Sequence, residues 1–487
     1  MSIFEIVLTF LVIFQNIYIY QKMKEGFIIE EDKSALLTSL EWLSGVVWGM
    51  PLLILLVGTG VYLTIRLGFL QLRTLPYALK LAFSPSKQDK KSKGDISHYE
   101  SLTTALAATI GTGNIVGVAS AVLAGGPGAV FWMWITALFG MATKYAEAIL
   151  AVKYRTTDAN GRISGGPMYY LEKGLKSKWL GVLFAFFGAG AAFGIGNMVQ
   201  ANAVTSSLQA SFNIPKIATA IILVSLISLV IIGGIKSIGR VTSFFVPIMA
   251  VFYIIAGLII IFLNIDSIGS AFGMIFTDAF TGNAVAGGAI GTVIRWGVAR
   301  GVFSNEAGLG SAPIAAAAAK TDYPGRQALV SMTQVFLDTL LVCTITGLTI
   351  VMGGKYTTDI VDSDLTAESF GVFLGNAGSM IVTIGLVFFA FSTIIGWSYY
   401  GEKCFGYLTN QRFITFYRIL FVGFVFIGGI SKLALAWAFA DVMNGLMAFP
   451  NLIGLLGLSG VVVAETKRFM KVMKEEKQAE ASNSYQA

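Results

Sequence analysis

Two stretches of otherwise apolar sequence gather the groups that could grip an ion and a zwitterion together. The first reads Ala107-Ala108-Thr109-Ile110-Gly111-Thr112-Gly113-Asn114-Ile115. The second reads Gly297-Val298-Ala299-Arg300-Gly301-Val302-Phe303-Ser304-Asn305-Glu306-Ala307-Gly308. Glycine in a helix interior costs about 1 kcal/mol relative to alanine, and irregular backbone at membrane depth survives only where it is buried in protein or lines a cavity. A break at Gly111-Thr112-Gly113 exposes amide N–H groups at the start of a half-helix, where partial positive charge suits a carboxylate. The half-helix ending near Ile110 exposes carbonyls, and oxygens at a negative dipole end suit a sodium ion. Tight packing of small residues accounts equally well for any one of these glycines. Two polar glycine clusters at matched places in the chain favour a binding site.

Other residues could complete such a site. Ser392 and Thr393 lie in the run Phe391-Ser392-Thr393-Ile394-Ile395-Gly396-Trp397. Hard cations prefer oxygen ligands, and two adjacent hydroxyls qualify, although each could instead bond its own helix at i−4. Gln200 and Asn202 follow Gly194-Ile195-Gly196-Asn197. Either could hold an ammonium through its side-chain carbonyl, or simply bond a neighbouring helix. Trp397 stands one turn beyond Thr393 on roughly the same face. Its indole would cap a side-chain pocket and admit only small substrates, unless it serves as an interfacial anchor.

Ionisable groups inside apolar segments are costly unless paired or hydrated. Lys144, Glu147, Arg295, Arg300, Glu306, Asp338 and Asp441 are of this kind. Lys144 and Glu147, three residues apart on one helix, are expected to pair near the inner surface. Arg300 and Glu306 flank the proposed break in the second half and are expected to form a structural or gating pair rather than to act as direct ligands. Asp338 and Asp441 keep proton coupling open. A single histidine, His98, and two cysteines, Cys343 and Cys404, exclude multi-histidine metal chemistry and a disulfide framework. No convincing nucleophile and base stand together, so an enzyme is not expected. A channel should show a ring of repeated polar residues along its pore, which the sequence lacks.

The elements that must position these groups are membrane helices. The chain of 487 residues is 55% hydrophobic and 13% charged, with a mean hydropathy of +0.74. Apolar stretches long enough to cross a bilayer recur along it. One lies at about 45–66, and ten follow near 101–124, 127–152, 178–198, 214–234, 240–264, 283–318, 326–352, 375–402, 414–431 and 434–465. Short alternating segments of a membrane β-barrel are absent. Basic clusters such as Lys87, Lys90 and Lys91, Lys153 and Arg155, Lys320 and Arg326, and Lys467 and Arg468 all fall on one side if the spans alternate. That side is cytoplasmic by the positive-inside rule. The net charge of +7 is thus a topology signal, and nucleic acid is not an expected partner. Phe4 to Tyr20 admits an extra span, a signal-like segment or an upstream extension. The polar end from Lys471 is expected to be disordered.

Ten spans divide as five and five. An odd number per half inverts the halves relative to one another, a transporter design with its site near the bilayer midplane. The expected organisation is an N-terminal extension at 1–44, an additional membrane helix with a cytoplasmic amphipathic segment at 45–98, a first repeat at 99–265, a second at 266–466 and a cytoplasmic polar tail at 467–487.

Gly125-Gly126-Pro127-Gly128-Ala129-Val130-Phe131-Trp132-Met133-Trp134, continuing to Gly140-Met141, resembles the signature of the alanine or glycine:cation symporter family. Gly111-Thr112-Gly113-Asn114, Ser304-Asn305-Glu306-Ala307-Gly308-Leu309-Gly310-Ser311, and Phe391-Ser392-Thr393 with Gly396-Trp397 and Gly401-Glu402-Lys403-Cys404 resemble it too, over about residues 45–470. The resemblance implies an all-α polytopic membrane protein of the LeuT-type five-plus-five inverted-repeat fold, with broken first and sixth core helices and one extra N-terminal helix. It implies symport of alanine or glycine with sodium, or less often with protons, and no cofactor beyond the cotransported ion. It implies the carbonyls of Ala107 and Ile110 and the hydroxyls of Ser392 and Thr393 at sodium, and Thr112 and Gly113 at the substrate carboxylate. Gln200 and Trp397 are assigned to the substrate from their placement. The expected location is the bacterial inner membrane, and no obligatory protein partner is inferred.

Overall fold

The computed structural model describes residues 35–84, 92–158, 161–281, 290–358, 360–431 and 434–484. The readings of Phe4 to Tyr20, of the basic loop at Lys87, Lys90 and Lys91, and of the start of the span near 283–318 lie outside these residues. Among them the only strands are a two-residue pair, Thr156–Thr157 with Ile163–Ser164. Everything else of regular structure is helical. That is what a chain in hydrocarbon requires, because a helix satisfies its backbone groups within one segment.

The helices run in chain order. They are α1 (Ala35–Val47), α2 (Met50–Arg66), α3 (Leu70–Phe83), α4 (His98–Thr109), α5 (Gly113–Gly125), α6 (Gly128–Lys153), α7 (Pro167–Lys173), α8 (Lys178–Phe212), α9 (Lys216–Ile232) and α10 (Gly234–Leu263). They continue with α11 (Ile265–Thr281), α12 (Ile290–Asn305), α13 (Pro313–Ala317), α14 (Pro324–Gly353), α15 (Asp362–Leu374), α16 (Asn376–Leu408), α17 (Ile414–Ile430), α18 (Ala434–Gly457) and α19 (Ser459–Ser484). Among the described residues seven helical stretches, α1–α2, α6, α8, α10, α14, α16 and α18, are long and apolar enough to cross a membrane. The pair α4 and α5, bent by 54°, makes an eighth. The chain is a multi-pass membrane protein. The shorter apolar helices α9 and α17 fall on two further expected stretches. The stretch near 283–318 becomes α12, which carries Arg295 and Arg300, an irregular segment, and α13.

Two expected boundaries shift. The span read near 178–198 continues to Phe212. The polar end read as disordered is instead helical to Ser484. Lysine, glutamate and alanine are good helix formers, and α19 also has somewhere to dock. Buried Phe469 lies over Gly325, and Arg326 holds Glu476 at 2.5 Å.

Local chemistry starts and bends the helices that matter. Ser97 opens α4 with a capping box: its hydroxyl accepts from the Glu100 amide and its own amide donates to the Glu100 carboxylate, closing two otherwise orphaned donors. Three π-helical turns occur among the described residues, at Gly113–Gly117, Gly194–Met198 and Phe336–Cys343. Such turns are rare and collect at functional sites. All three border the region described next. Close approach brings α16 there too: a Cβ on Gly396 would lie 2.8 Å from the backbone nitrogen of Ala108. Only glycine lets the long helix rest directly on the main chain of α4.

Candidate functional site

The first break is built from α4 running out of helix. Ile110 leaves helical geometry at ψ 92°, while its amide still reaches the Leu106 carbonyl. Gly111 and Thr112 carry the chain across to α5. The Gly111 amide donates to the Asn114 side-chain oxygen at 2.9 Å. A Cβ on Gly111 would collide with the Thr393 hydroxyl, so α16 presses into the gap.

The hydroxyls of α16 meet the carbonyls that α4 leaves free. Ser392 Oγ lies 3.3 Å from the Ala107 carbonyl, and Thr393 Oγ1 lies 3.1 Å from Ala107 O and 3.4 Å from Ile110 O. Both also reach their own helix at Phe389 O, at 2.8 and 3.0 Å. The two readings of these side chains therefore coexist. Thr393 has one proton and three carbonyls within reach, so it can satisfy one at a time. The result is a buried pocket of oxygens with a deficit of protons, which is the donor set a hard monovalent cation prefers.

Gln200, from the first turn after a π-helical segment, faces the same break. Its Nε2 donates to Thr112 Oγ1 at 3.1 Å and to Ile195 O at 3.0 Å, and its Oε1 lies 3.4 Å from the Thr112 amide. Asn202 does not join it. That side chain donates to the carbonyls of Gly428 and Ser431 on and after α17, two residues around the helix from Gln200. Trp397 is buried, with 1% of its surface exposed. Its side chain packs so close to Gly196 that a Cβ there would lie 2.6 Å from Trp397 Cβ.

The second break lies between α12 and α13. Glu306 takes a left-handed conformation at φ 56°, and Gly308 and Gly310 follow at 91° and 84°. A non-glycine residue there is uncommon. Glu306 is held by its surroundings: Oε1 accepts from the Trp397 indole at 2.9 Å, Oε2 accepts from Ser311 at 2.6 Å, and its backbone carbonyl accepts from Lys144 Nζ at 2.9 Å. Glu147 Oε1 accepts from the amides of Gly308 and Gly310, both at 3.1 Å, and from Asn451 at 2.7 Å. Lys144 stands 3.8 Å from Glu147.

Two charge expectations are corrected here. Lys144 and Glu147 do pair, but they brace the second break from α6, fully buried, rather than lying near a surface. Arg300 and Glu306 do not pair. α12 ends at Asn305, and the left-handed turn at Glu306 carries its carboxylate to Trp397 and Ser311 instead. The Arg300 guanidinium lies over the rings of Trp296 and Phe303, at 5.2 and 5.4 Å, and shares a small cleft with Asp441. Asp441 thus faces this cleft, beside Arg300 and Phe303, rather than the polar groups joined between the breaks.

Asp338 sits between them, on the π-helical turn of α14. Its carboxylate accepts from Asn114 Nδ2 at 2.7 Å, Ser304 Oγ at 2.8 Å and Thr339 Oγ1 at 2.7 Å. A Cβ on Gly113 would lie 3.2 Å from Ser304 Cα, so the two breaks touch. Asn114, Ser304 and the capping role of Glu147 were not read from the sequence as site features. Asn114 and Ser304 lie inside the quoted glycine clusters, which is the signal that was there.

One end of the molecule is sewn shut below the breaks. Ile96 and Ala319 form a parallel bridge, and the Lys320 amide donates to Ile96 O at 2.7 Å. Arg155 donates to the carbonyls of Ala317, Ala319 and Lys93 at 3.0, 2.7 and 2.9 Å. Burial lowers its pKa from the ordinary guanidinium value, and nearby Asp95 opposes that.

With this geometry in view, the model of the sodium:alanine symporter family matches residues 33–483. The chain belongs to that family. It is accordingly an amino acid symporter of the membrane and not an enzyme. Among curated proteins the symporter is 62% identical to the sodium/alanine symporter AgcS of Methanococcus maripaludis, over 88% of this chain and 96% of that protein. It is 38% identical to the Bacillus subtilis protein named "Probable sodium/glutamine symporter GlnT", covering 88% and 90% of the two chains. It is 36% identical to the amino-acid carrier protein AlsT of the same organism, covering 86% and 90%.

Proposed function

We propose that this symporter couples the entry of sodium to the uptake of a small neutral amino acid, alanine or glycine, by alternating access. The observation that carries the proposal is the meeting of Ser392 and Thr393 with the carbonyls of Ala107 and Ile110 at a helix break. Sodium bound there would hold α16 against α4. The amides of Thr112 and Gly113 begin the adjoining half-helix, and a substrate carboxylate would take them. Ordering by one ligand then favours the other, and the coupling is reciprocal. Gln200, which now bonds Thr112, would turn its side-chain oxygen to the substrate ammonium. Trp397 would close over the α-carbon substituent.

The LeuT-type arrangement of residues 99–265 and 266–466 as inverted halves belongs to this reading. It is supported by α4–α5 and α12–α13, the two broken helices, each opening one half and touching at Gly113 and Ser304. The cytoplasmic placement of the C-terminal helix rests on its Lys467, Arg468 and Lys471 through the positive-inside rule.

The test is uptake of labelled alanine into proteoliposomes under an imposed sodium gradient, with small D- and L-amino acids as competitors. Uptake that ignores sodium and follows a proton gradient would overturn the reading and favour a proton-coupled permease. Asp338 is the residue through which that rival would act, since its carboxylate lies between the breaks and Asp441 does not. Asp338→Asn separates the two. Under sodium coupling, uptake persists with weakened substrate or ion affinity, about tenfold for one altered charge-assisted bond. Under proton coupling, drive by a pH gradient is abolished.

Trp397→Ala gives a further expected outcome. A single methylene in an apolar pocket is worth about 1–3 kcal/mol of discrimination. Removing the indole should therefore bring valine within about tenfold of alanine as a competitor for uptake. An unchanged rank order would remove Trp397 from the pocket.

A further inference from the structure

We propose that the cleft between α2, α3 and α19 binds the phosphate headgroup of an anionic membrane phospholipid. The cleft has a volume of about 320 Å³ and is lined by Arg66, Arg73 and Lys467 together with Leu67, Leu70 and Met470. It is separate from both helix breaks and plays no part in the transport reading above.

Three observations converge on this ligand. The first is uncompensated charge. Among the described residues, none of these three cations has a carboxylate within 4.0 Å, whereas their neighbours Lys153 and Arg326 are neutralised by Glu465, Asp322 and Glu476. Three like charges around one cleft repel one another unless an anion is shared. The second is preorganisation. Arg66 Nη1 donates to the Tyr62 hydroxyl at 2.6 Å and Arg73 Nη1 to the Gly68 carbonyl at 3.3 Å, which aims both guanidinium groups while leaving most of their donors free. Gly68 and Phe69, at φ 64° and 55°, make the turn between α2 and α3 that brings Arg66, Leu70 and Arg73 to one cleft. The third is an apolar rim beside it in the chain: Ile65, Phe69 and Leu72, next in sequence to the lining Arg66, Leu70 and Arg73, are exposed apolar side chains. In a membrane protein such a rim meets acyl chains, which a free phosphate would not need. The cleft also lies with Arg155 and Lys153 at the basic end of the helices, and basic pockets between helices on the cytoplasmic side recognise anionic headgroups.

The experiment is native mass spectrometry of the purified full-length protein in detergent, titrated with phosphatidylglycerol or with phosphatidylethanolamine. The wild-type chain should retain phosphatidylglycerol in preference to the zwitterionic lipid. Arg66→Gln, Arg73→Gln and Lys467→Gln combined should weaken that retention at least tenfold, at about fivefold per lost charge near a membrane surface. A charge-matched variant away from the cleft, Lys176→Gln, Lys178→Gln and Lys236→Gln combined, should keep it. Equal retention by the two variants would overturn the site. Millimolar inorganic phosphate that displaces the lipid and protects the protein equally well would overturn the lipid as its ligand. Should the triple variant fail to fold, Lys467→Glu alone, on the exposed face of α19, must still reduce phosphatidylglycerol retention for the proposal to stand.

Discussion

Replacing Ser392 and Thr393 together by alanine is expected to raise the sodium concentration for half-maximal alanine uptake by two orders of magnitude or more. At the proposed sodium site each hydroxyl would contribute an oxygen to a charged partner, and such interactions are worth about 1.5–3 kcal/mol apiece. Two of them amount to about 3–6 kcal/mol, or a factor of roughly 10²–10⁴. The single variants should fall between, and Thr393→Ser should recover most of the loss because it retains the oxygen that faces Ala107 and Ile110. The packing of α16 on α4 depends on Gly396 against Ala108, which these substitutions leave alone. Sodium titrations of uptake in proteoliposomes give the answer directly. A double variant with the wild-type sodium curve would remove this place from the coupling mechanism.

Lys144→Met is expected to destabilise the folded protein by about 3–5 kcal/mol, because removing one partner strands a buried charge. Lys144 serves two acidic residues at once: it stands 3.8 Å from Glu147 and donates to the backbone carbonyl of Glu306. The effect should not be additive with changes at Glu147. Glu147→Gln keeps an acceptor oxygen for the amides of Gly308 and Gly310 while discarding the charge. The pair Lys144→Met and Glu147→Gln should therefore be more stable than Lys144→Met alone. Thermal unfolding in detergent, followed by tryptophan fluorescence, compares them. A melting temperature unchanged by Lys144→Met would show that this ion pair does not support the second break. Uptake should fall in parallel, since Glu306 also holds the indole of Trp397.

The sequence made much of this architecture readable because lipid is a demanding solvent. Stretches of about 20 apolar residues have few fates, and the expected stretches fall on helices or, near 101–124 and 283–318, on helices that break. The break at Gly111 was legible for the same reason, since glycine beside threonine and asparagine is unfavourable in a continuous membrane helix. The adjacency of Ser392 and Thr393 marked a polar face on an otherwise apolar helix. Contacts over long separations were not legible. Nothing local says that Asn114 reaches Asp338, 224 residues away, or that Glu147 caps an amide pair on another segment. The expected Arg300–Glu306 pair failed because proximity in sequence was taken for proximity in space, whereas the left-handed turn at Glu306 carries its carboxylate toward Trp397. The C-terminal segment misled through composition. Its charges suggested a solvated tail, yet Phe469 and Met473 form a buried stripe along a helix that docks.

The seam joining residues 93–96 to residues 317–320 is made almost wholly of peptide groups. Side chains along it matter chiefly at Gly94, where a Cβ would collide with the Lys320 backbone nitrogen, and the remaining control comes from outside, through Arg155. Under the proposed alternating access, cargo leaving past this point would require the bonds of this seam to open. Turnover would then be governed by how often that seam parts, and a variant lacking the Arg155 guanidinium would be a leaky but faster carrier.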